Sequence, residues 1–346
     1  MRKHSTPTLT DVARLAGVST ATVSRCLNEP ALVGAETRER VLRAVDALAY
    51  TPNFGGRALA SQRTNTVGAI IPTMENAIFA RGIQAFEEEL AGAGYTLLVG
   101  STGYDPEREY EQVIKLAARG ADGLLLIGWE RPGRVIGFVK ARNFPTVIAW
   151  NYRRDEDLLC AGFDNRLAAR RMAERVIAHG HQNIAMIAGI VEGNDRAADR
   201  VAGVRQALEA AGLDARAMTV IEAPYTLENG GEALRRLMAL KPRPTAVVCG
   251  NDVLAAGALC EAKAMGLAIP GDLSITGFDN IDLSTVVDPP LTTVHVPHRR
   301  MGHAAARILL DRMSGGNEVE SALFETEIVE RGTLGPPPAR LSRKRR

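Results

Sequence analysis

In the first 50 residues, apolar positions recur every three to four residues, and this helical spacing predicts three short helices. Thr8 and Asp11 have the spacing of a capping box ahead of the first apolar stripe. Gly17 allows a sharp turn, and Ser19 is placed to cap a second helix. The stretch AETRERVLRAVDALAY forms a third stripe that ends before Pro52. The pattern predicts a small three-helix domain.

The outward face of the second predicted helix carries short hydroxyl and cationic side chains. Thr20, Ala21, Ser24 and Arg25 stand on this face. Such side chains suit the base edges and phosphates of a DNA major groove. We therefore interpret residues 8–28 as a helix-turn-helix whose second helix reads DNA. The alternative is an ordinary helical hairpin inside a core.

The pattern changes twice after the third helix. Residues 53–61 (NFGGRALAS) favour one more short helix capped by Asn53, in which Gly55 and Gly56 each cost about 1 kcal/mol relative to alanine. Alone, this helix should be largely unfolded. From residue 66 short apolar strands alternate with amphipathic helices. The predicted strands are 67–71, 96–100, 123–127, 146–150, 184–188, 219–222, 246–249 and 274–278, and the predicted helices are 77–91, 106–118, 166–178, 197–211, 227–240 and 251–265.

This alternation predicts parallel sheets covered by helices on both faces. Eight strands over roughly 260 residues exceed one comfortable sheet of this kind, so two sheets are expected. The quartet GFDN occurs twice, at 162–165 and 277–280, where strands end. Ligands of open α/β sheets bind at such strand ends, so a ligand site is expected there.

Composition describes a globular chain of two or three domains, with 346 residues and 46% hydrophobic content. Neither a run of about 18 apolar residues nor a secretory signal pattern is present, so we expect a cytoplasmic protein without a membrane partner. The four cysteines lack C-x-x-C spacing and are expected to be reduced.

Charge is unevenly distributed although the net charge is only +2. Residues 1–63 carry nine lysines and arginines against five acidic residues, and residues 335–346 carry five against none. The remainder of the chain therefore carries a net charge of −7. A basic head on an acidic body fits a protein that presents one face to a polyanion. The basic tail has too little apolar content to fold, and either contacts DNA or stays solvated.

Catalytic motifs are missing from the sequence. It has no Walker loop and no G-x-S-x-G, and the G-A-G at 92–94 precedes a strand instead of following one. His179 and His181 flank Gly180 at a predicted helix end, where glycine and histidine suit helix termination better than metal binding. We expect no enzyme activity, no cofactor and no metal.

A series of motifs, in order, resembles the LacI family of bacterial transcription regulators over residues 8–332. The series reads TDVARLAGVSTATVSRCLN, ETRERVLRAVDALAYTPN, RAL, DGLLLIG, HGHQNIAMIAG, DRVAGV, RPTAVVCGNDVLAAGAL, ITGFDN and PPLTTVHVP. The resemblance implies a homodimeric repressor with a helix-turn-helix head and a periplasmic-binding-protein-like core of two Rossmann-like subdomains. The implied domains are the head (1–52), the hinge helix and linker (53–65), the core (66–332) and a disordered basic tail (333–346). Within the core, the N-subdomain covers about 66–162 and 294–325, and the C-subdomain about 163–291 and 326–332.

The resemblance also implies which residues bind DNA. Thr20, Ala21 and Arg25 would face bases, and Arg25 would suit guanine, with a phosphate contact as its alternative. Leu59 would wedge into the minor groove and kink the duplex, unless it packs on the core. The residues implied to hold DNA phosphates are Ser19, Thr22 and Asn28. In the hinge, Asn53 is counted with the DNA-binding residues. Gly55 and Gly56 depart from the family pattern and make hinge folding depend more heavily on DNA.

In the core, the resemblance implies a cleft for a small-molecule effector. Arg200 and Asp279 match residues that bind ligand hydroxyls or carboxylates, and Trp150 stands where relatives often carry a carboxylate, which puts a simple sugar preference in doubt. The cationic Arg196 hints at a sugar acid. The other implied contacts are Phe79, Tyr225 and Asn251. Each of these residues has a purely structural role as its alternative.

The combined interpretation is a repressor of carbohydrate or sugar-acid catabolic genes. It would bind a pseudopalindromic double-stranded operator as a homodimer, and a sugar or sugar acid in the cleft would control it allosterically. The alternative function is a cytosolic small-molecule binding protein without regulatory DNA binding. A transport receptor would need a signal peptide and would have no use for the head.

Overall fold

The computed structural model describes residues 7–51, 63–75, 77–154, 157–316 and 319–338. The chain separates into two units, one ending at Thr64 and the other beginning at Asn65. This division lies inside the segment 53–65 that was expected to be hinge and linker. The hinge helix, with Asn53 and Leu59, falls outside the described residues, so its existence and its DNA contacts stay predictions.

Residues 7–51 of the first unit fold into three α-helices around a small apolar core. The capping box is confirmed, because Asp11 Oδ2 accepts the Thr8 backbone N–H at 3.0 Å while Thr8 Oγ1 accepts the Asp11 N–H at 3.4 Å. Gly17 follows the first helix with a φ of 66°, and Ser19 Oγ caps the second by accepting the Thr22 N–H at 3.1 Å. The helices are α1 (Leu9–Ala16), α2 (Thr20–Asn28) and α3 (Ala35–Ala47), with a 3-10 turn at Pro30–Leu32.

The second unit is built on two parallel sheets, as the alternating pattern predicted. The first sheet has six strands in the order β11-β5-β4-β3-β1-β2. Its strands are β1 (Thr66–Ile71), β2 (Thr96–Ser101), β3 (Gly123–Ile127), β4 (Thr146–Ala149), β5 (Leu159–Gly162) and β11 (Ala322–Leu323). The second sheet has four strands in the order β7-β6-β8-β9, which are β6 (Ile184–Ala188), β7 (Val220–Glu222), β8 (Ala246–Cys249) and β9 (Ser274–Thr276).

Helices cover both faces of each sheet, so the central strands are buried throughout. Every residue of β1, β3 and β4 is buried, as parallel strands between two helix layers require. The helices of the first sheet are α4 (Ala77–Gly92), α5 (Pro106–Ala118), α6 (Gly133–Ala141) and α12 (His298–Ser314). Those of the second are α7 (Asn165–Ala178), α8 (Asp195–Ala210), α9 (Leu227–Met238), α10 (Asp252–Ala264) and the short α11 (Leu283–Val286).

The chain passes three times between the two subdomains. It crosses after β5, again after the strand β10 (Thr293–His295), and finally between β11 and the strand β12 (Glu327–Val329). Strands β10 and β12 pair antiparallel with Val294 opposite Ile328. The crossovers place the carboxyl ends of both parallel sheets toward one cleft, where ligands of such folds bind.

Three of the described helices, α6, the four-residue α11 and α12, are not among the predicted ones. In α12 the buried stripe includes Gly302, Ala305 and Ala306. A side chain at Gly302 would collide with the backbone oxygen of Gly82 on α4, so the two helices approach closely through small residues. Small residues give a weak apolar signal, which explains why α12 was not predicted.

The beginning of the predicted basic tail is wrong, because residues 333–337 pack on the second subdomain. The buried His181 hydrogen-bonds the backbone oxygen of Gly335 through Nε2 at 2.8 Å and Thr245 Oγ1 through Nδ1 at 2.9 Å. The Gly335 N–H donates to Ser274 Oγ at 3.1 Å. His181 therefore anchors this segment to the second subdomain. Within the described segments, no helix is both long and apolar enough to cross a membrane.

Candidate functional site

The exposed face of α2 carries the side chains expected to contact DNA. Val23 and Cys26 turn into the core of the first unit, while the opposite face stays open. Thr22 is half-buried, and Ser19, Thr20, Ala21, Arg25 and Asn28 are exposed. The Ser19 and Thr22 hydroxyls lie 2.9 Å apart beside the helix N-terminus, so one donates to the other and the second hydroxyl hydrogen is left for a phosphate oxygen. The geometry is that of a helix able to enter a groove by its N-terminal end.

In the second unit, most of the expected cleft residues line one small cavity. It is enclosed between loops of the two subdomains, and its volume of about 10 Å³ is close to that of a single water position. Asp279 is not one of the lining residues, but its Oδ1 lies 3.7 Å from Nη2 of Arg200, which lines the cavity. The lining residues from the expected set are Phe79, Trp150, Arg196, Arg200, Tyr225 and Asn251, joined by Ile78, Tyr104 and Asn194.

A larger outer cavity of about 520 Å³ lies next to this inner cavity. Tyr104, Asn194 and Tyr225 line both cavities. The Tyr104 and Tyr225 ring centroids are 6.4 Å apart at an interplanar angle of 42°. Burial raises the pKa of Tyr104 above its ordinary value, so its hydroxyl is neutral. Two aromatic faces therefore stand where the outer cavity meets the inner one.

Both arginines of the inner cavity are paired with protein groups. Arg200 Nε donates to Asn165 Oδ1 at 2.9 Å, Nη1 donates to the Gly250 backbone oxygen at 2.6 Å, and the guanidinium lies 3.9 Å from the Phe278 ring centroid. Arg196 Nη1 donates to Asp195 Oδ1 at 2.9 Å. Their positive charges are thus compensated inside the protein, with Arg200 Nη2 directed toward Asp279.

Asp279 and Trp150 adopt backbone conformations that L-residues rarely use. Their φ angles are 102° and 66°. Such conformations cost free energy and concentrate at functional sites, because surrounding contacts must hold them in place. Each residue follows the carboxyl end of a strand, β9 or β4, and its strained backbone places its side chain in the cleft region.

Burial also sets the protonation of the deepest groups. It raises the pKa of Asp279 to about 6, and Arg200 opposes the shift. Burial, followed by the positive charge of Arg200, lowers the pKa of His298 to about 3, so this imidazole is neutral. The Trp150 indole Nε1 donates to His298 Nδ1 at 3.1 Å, and His298 Nε2 lies 3.8 Å from Asp279 Oδ1.

A cluster of hydrogen bonds joins the two subdomains at one side of the cleft. We call Trp129, Asn151, Asp195 and Asp199 the clasp. Asp195 Oδ2 accepts the Trp129 backbone N–H at 2.8 Å and the Asn151 side-chain amide at 2.7 Å, and the same amide reaches Asp199 Oδ2 at 3.1 Å. Gly128, with a φ of 72°, permits this approach because a side chain there would collide with Asp195 and Arg196. The clasp holds the cleft closed through protein contacts alone.

Among the residues with a described placement, no cluster of three or more histidines, cysteines, aspartates or glutamates is arranged to hold a metal ion. His179, discussed above with His181, instead faces the Arg175 backbone oxygen through Nδ1 at 2.9 Å. His181 is the anchor of the C-terminal segment described above.

Comparison with known proteins identifies both units. The family described as "Bacterial regulatory proteins, lacI family" matches residues 8–53, and "Periplasmic binding protein-like domain" matches residues 173–334. An HTH-type transcriptional repressor PurR from Erwinia tasmaniensis is 37% identical over 338 residues, covering 96% of this chain and 98% of the relative. The chain belongs to the LacI family. It is a sequence-specific DNA-binding transcriptional repressor.

Solved structures of LacI-family proteins agree with this fold. A LacI-family regulator from Silicibacter pomeroyi has a TM-score of 0.87 at 28% identity, covering 95% of this chain and 99% of that one. The lac repressor dimer bound to operator and the anti-inducer ONPF has a TM-score of 0.83 at 27% identity, covering 96% and 100%. The predicted combination of a helix-turn-helix head with a periplasmic-binding-protein-like core is confirmed.

Sequence reasoning missed three residues of the LacI-family cleft. Tyr104 follows the carboxyl end of β2, so its place at a strand end was an available signal. Asp195 adjoins the expected Arg196, but its contacts with Trp129 and Asn151 span a distance in sequence that no local pattern reports. His298 begins α12, the helix that was itself missed.

Proposed function

We propose that this repressor is controlled by a neutral, planar, hydrogen-bonding effector of the nucleobase class, bound between Tyr104 and Tyr225. The observation that carries the proposal is this tyrosine pair, with ring centroids 6.4 Å apart at the junction of the two cavities. A flat ring needs roughly 3.5 Å of contact distance on each side. The rings therefore have to separate slightly and turn from an interplanar angle of 42° toward parallel to hold a planar ligand in stacking contact.

The charge of the cleft supports a neutral effector. Arg196 and Arg200 are paired with Asp195 and Asp279, and the outer cavity adds the exposed carboxylates of Glu75 and Glu192. An anionic ligand would find both arginines already paired with carboxylates, so its charge would not be balanced in the cleft. The hint of a sugar acid rested on the cationic character of Arg196, whose charge is balanced by Asp195, so that class is not part of the proposal.

A neutral sugar is the second candidate, which keeps the expected link to carbohydrate catabolism open. Both carboxylate oxygens of Asp279 are buried and lack a hydrogen-bond partner among the described residues. A sugar hydroxyl would satisfy one of them while an apolar sugar face packs on Tyr225. Nucleobases are preferred because they would use both tyrosine faces.

At the DNA end, we propose that two copies of α2 in a homodimer read a pseudopalindromic operator. Thr20, Ala21 and Arg25 would contact base edges, and the remaining exposed residues would position the helix on phosphates. Those positioning residues are Ser19, Thr22 and Asn28. In the hinge, Asn53 would cap the helix and Leu59 would insert into the minor groove. The exposure of the α2 face supports this assignment. A binding protein without a DNA partner would have no use for the face.

A thermal-shift screen of the full chain tests the effector class, with guanine, adenine, uracil, glucose and gluconate as probes. Ligand binding to the folded state raises the melting temperature by mass action. We expect a nucleobase to raise it and to change the affinity for an operator selected from random duplexes. A shift with gluconate alone would contradict the proposal, and a shift with glucose alone would select the second candidate.

Tyr225 provides a matched pair of variants for this screen. Tyr225→Phe keeps the aromatic face and should keep the nucleobase response, whereas Tyr225→Leu removes the face and should abolish it. Operator affinity without ligand should be unchanged in both variants. An equal response in the two variants would show that stacking on residue 225 contributes nothing.

A further inference from the structure

Three buried polar atoms without hydrogen-bond partners face one another at the back of the cleft. They are the two carboxylate oxygens of Asp279 and Nε2 of His298. Asp279 Oδ1 lies 3.8 Å from His298 Nε2 and 3.7 Å from Arg200 Nη2. Both distances are too long for direct hydrogen bonds. We call the space between these three side chains the polar gap.

The hydrogen bond from Trp150 fixes which nitrogen of His298 carries the proton. An indole N–H only donates, so His298 Nδ1, which lies 3.1 Å from it, must accept. Neutral His298 therefore carries its hydrogen on Nε2, directed toward Asp279. Arg200 Nη2 also presents hydrogens to the polar gap. The gap thus offers donors on two sides and a carboxylate acceptor on the third.

Backbone contacts keep the polar gap from closing. The Asp279 N–H donates to the Val294 backbone oxygen at 2.9 Å, and the His298 N–H donates to the Val296 backbone oxygen at 2.8 Å. The strained φ angle of Asp279 is held by the same crossover strand. Buried polar atoms are normally satisfied, and those left open in a native fold call for a ligand or an ordered water. The position beside the inner cavity favours a ligand.

We propose that His298 is a specificity-determining residue of this cleft, whose Nε2–H donates to an acceptor atom of the effector while Asp279 accepts from a neighbouring donor on the same edge. The inference rests on the proposed function and narrows its ligand class. The effector must carry a donor next to an acceptor, such as a ring N–H beside a carbonyl. Guanine has such an edge, and caffeine, which keeps the fused rings and carbonyls, has no ring N–H.

Two substitutions separate the two nitrogens of His298. In His298→Asn the amide oxygen takes the place of Nδ1 and still accepts from Trp150, but nothing occupies the Nε2 position. In His298→Gln the amide nitrogen reaches the Nε2 position and leaves Trp150 without its acceptor. His303 lies on the same helix α12 outside the cleft, so His303→Asn is the matched control.

Calorimetric titration with guanine and caffeine gives the decisive comparison. We expect His298→Asn to weaken guanine binding about tenfold, the loss of one hydrogen bond in a closed site, while His298→Gln and His303→Asn stay within about threefold of the unmodified chain. Caffeine should bind none of them. If His298→Gln lost binding and His298→Asn kept it, His298 would act only by holding Trp150, and the proposal would be overturned.

A failure of the nucleobase class is distinguishable from a failure of this inference. If the unmodified chain binds operator but responds to no nucleobase, the proposed effector class is wrong. The role of His298 as a donor is then decided by ¹⁵N NMR of its imidazole, which reports the tautomer without any ligand. An Nε2–H tautomer supports the donor role, and an Nδ1–H tautomer or a doubly protonated ring overturns it.

Discussion

At the residue scale, Asp279 is where burial and charge act in opposite directions on one carboxyl group. Burial raises its pKa to about 6, and the nearby Arg200 limits the rise. In the folded protein the carboxyl group therefore stabilises the fold most below its unfolded pKa of roughly 4, and that contribution is lost as pH rises through 6. Ligand binding favours the opposite state, because an ionised carboxylate accepts a hydrogen bond from the ligand more strongly than the carbonyl oxygen of a protonated carboxyl group does.

The pH dependence of effector binding should follow this carboxyl group. We expect guanine affinity to be constant above pH 7 and to fall by up to about tenfold per pH unit below pH 6, as Asp279 becomes protonated in the free protein. Calorimetric titration between pH 5 and about pH 8 measures this profile. His298, with a pKa of about 3, does not titrate in this range.

The control for this profile must account for Asp252, whose pKa burial and the charge of Asp279 raise to about 7. Asp252 accepts the Ile281 N–H at 2.8 Å and the Thr293 hydroxyl at 2.5 Å, which is a structural role. Asp279→Asn should weaken binding and flatten the profile. A profile with an unchanged slope in Asp279→Asn would assign the dependence to Asp252 instead.

For Arg25 on α2, a substitution can distinguish a contact with a base from a contact with a phosphate. If its guanidinium bonds bidentately to a guanine, Arg25→Lys should lose about 1–3 kcal/mol of discrimination at one operator position, because an ammonium lacks the planar fork. Anisotropy titration with the selected operator and its single-base variants measures this. A uniform loss across all variants would show that Arg25 contacts a phosphate.

Residues that act through local backbone geometry were the ones the sequence predicted best. The capping box of Thr8 and Asp11 and the turn at Gly17 need only neighbours within a few positions, so their patterns are visible in the chain. The polar gap joins Arg200, Asp279 and His298, and the hydrogen bond that orients His298 comes from Trp150, 148 positions away. Such contacts depend on the order of strands in two sheets, which no periodicity encodes.

At the element scale, the clasp shows how the N-terminal end of α8 fixes the distance between subdomains. Asp195 lies at the first residue of α8, where a carboxylate also suits the positive end of the helix dipole. Its partners Trp129 and Asn151 follow β3 and β4 of the other subdomain. One carboxylate thus ties a helix of the second subdomain to two strand ends of the first.

Removing the carboxylate of the clasp should open the cleft. Asp195→Ala leaves the Trp129 N–H without its acceptor. It also removes the nearer of two acceptors from the Asn151 amide and from Arg196, which keep Asp199 and the Ile127 backbone oxygen. We expect the chain to lose roughly 3 kcal/mol of unfolding free energy, because the buried Arg196 loses its ion-pair partner. Acrylamide quenching of Trp129 beside the clasp should increase, and so should quenching of Trp150, which is buried in the closed chain but lines the cleft that opens. Trp129→Phe assigns the signal, since the chain has two tryptophans.

Asp214→Ala is the matched control for the clasp, because Asp214 is an exposed loop carboxylate that accepts only nearby backbone N–H groups, those of Arg216 and Ala217. Its quenching should equal that of the unmodified chain. If Asp195→Ala also left the quenching unchanged, the closure of the cleft would rest on contacts other than the clasp.

Elements differed in how well their patterns predicted them. The strands of both sheet centres were found because buried parallel strands are continuous apolar runs, as in GLLLI of β3. The strands β5, β10, β11 and β12, of two to four residues each, were missed because so few residues show no clear period. Helix α12 was missed because close packing against α4 selects small residues.

At the scale of the whole molecule, the basic charge lies in the first unit and the effector cleft lies in the second. The basic head faces a polyanion, while the acidic core contains a cleft that its own side chains already close to about 10 Å³ at the inner end. An effector must therefore separate Tyr104 from Tyr225 before it reaches the polar gap. A ligand that alters this closure shifts the population of core conformations by its differential affinity for them.

Linkage requires that such a shift act equally in both directions. If guanine changes operator affinity by some factor, operator must change guanine affinity by the same factor, typically 5- to 150-fold, or about 1–3 kcal/mol. Anisotropy titrations of operator with and without guanine give the first factor, and calorimetry of guanine with and without operator gives the second. Asp279→Asn should bring both factors close to one while operator still binds. Two clearly unequal factors would mean that guanine and operator are not acting on one equilibrium, and a factor of one in the unmodified chain would mean that this cleft does not control the DNA-binding head.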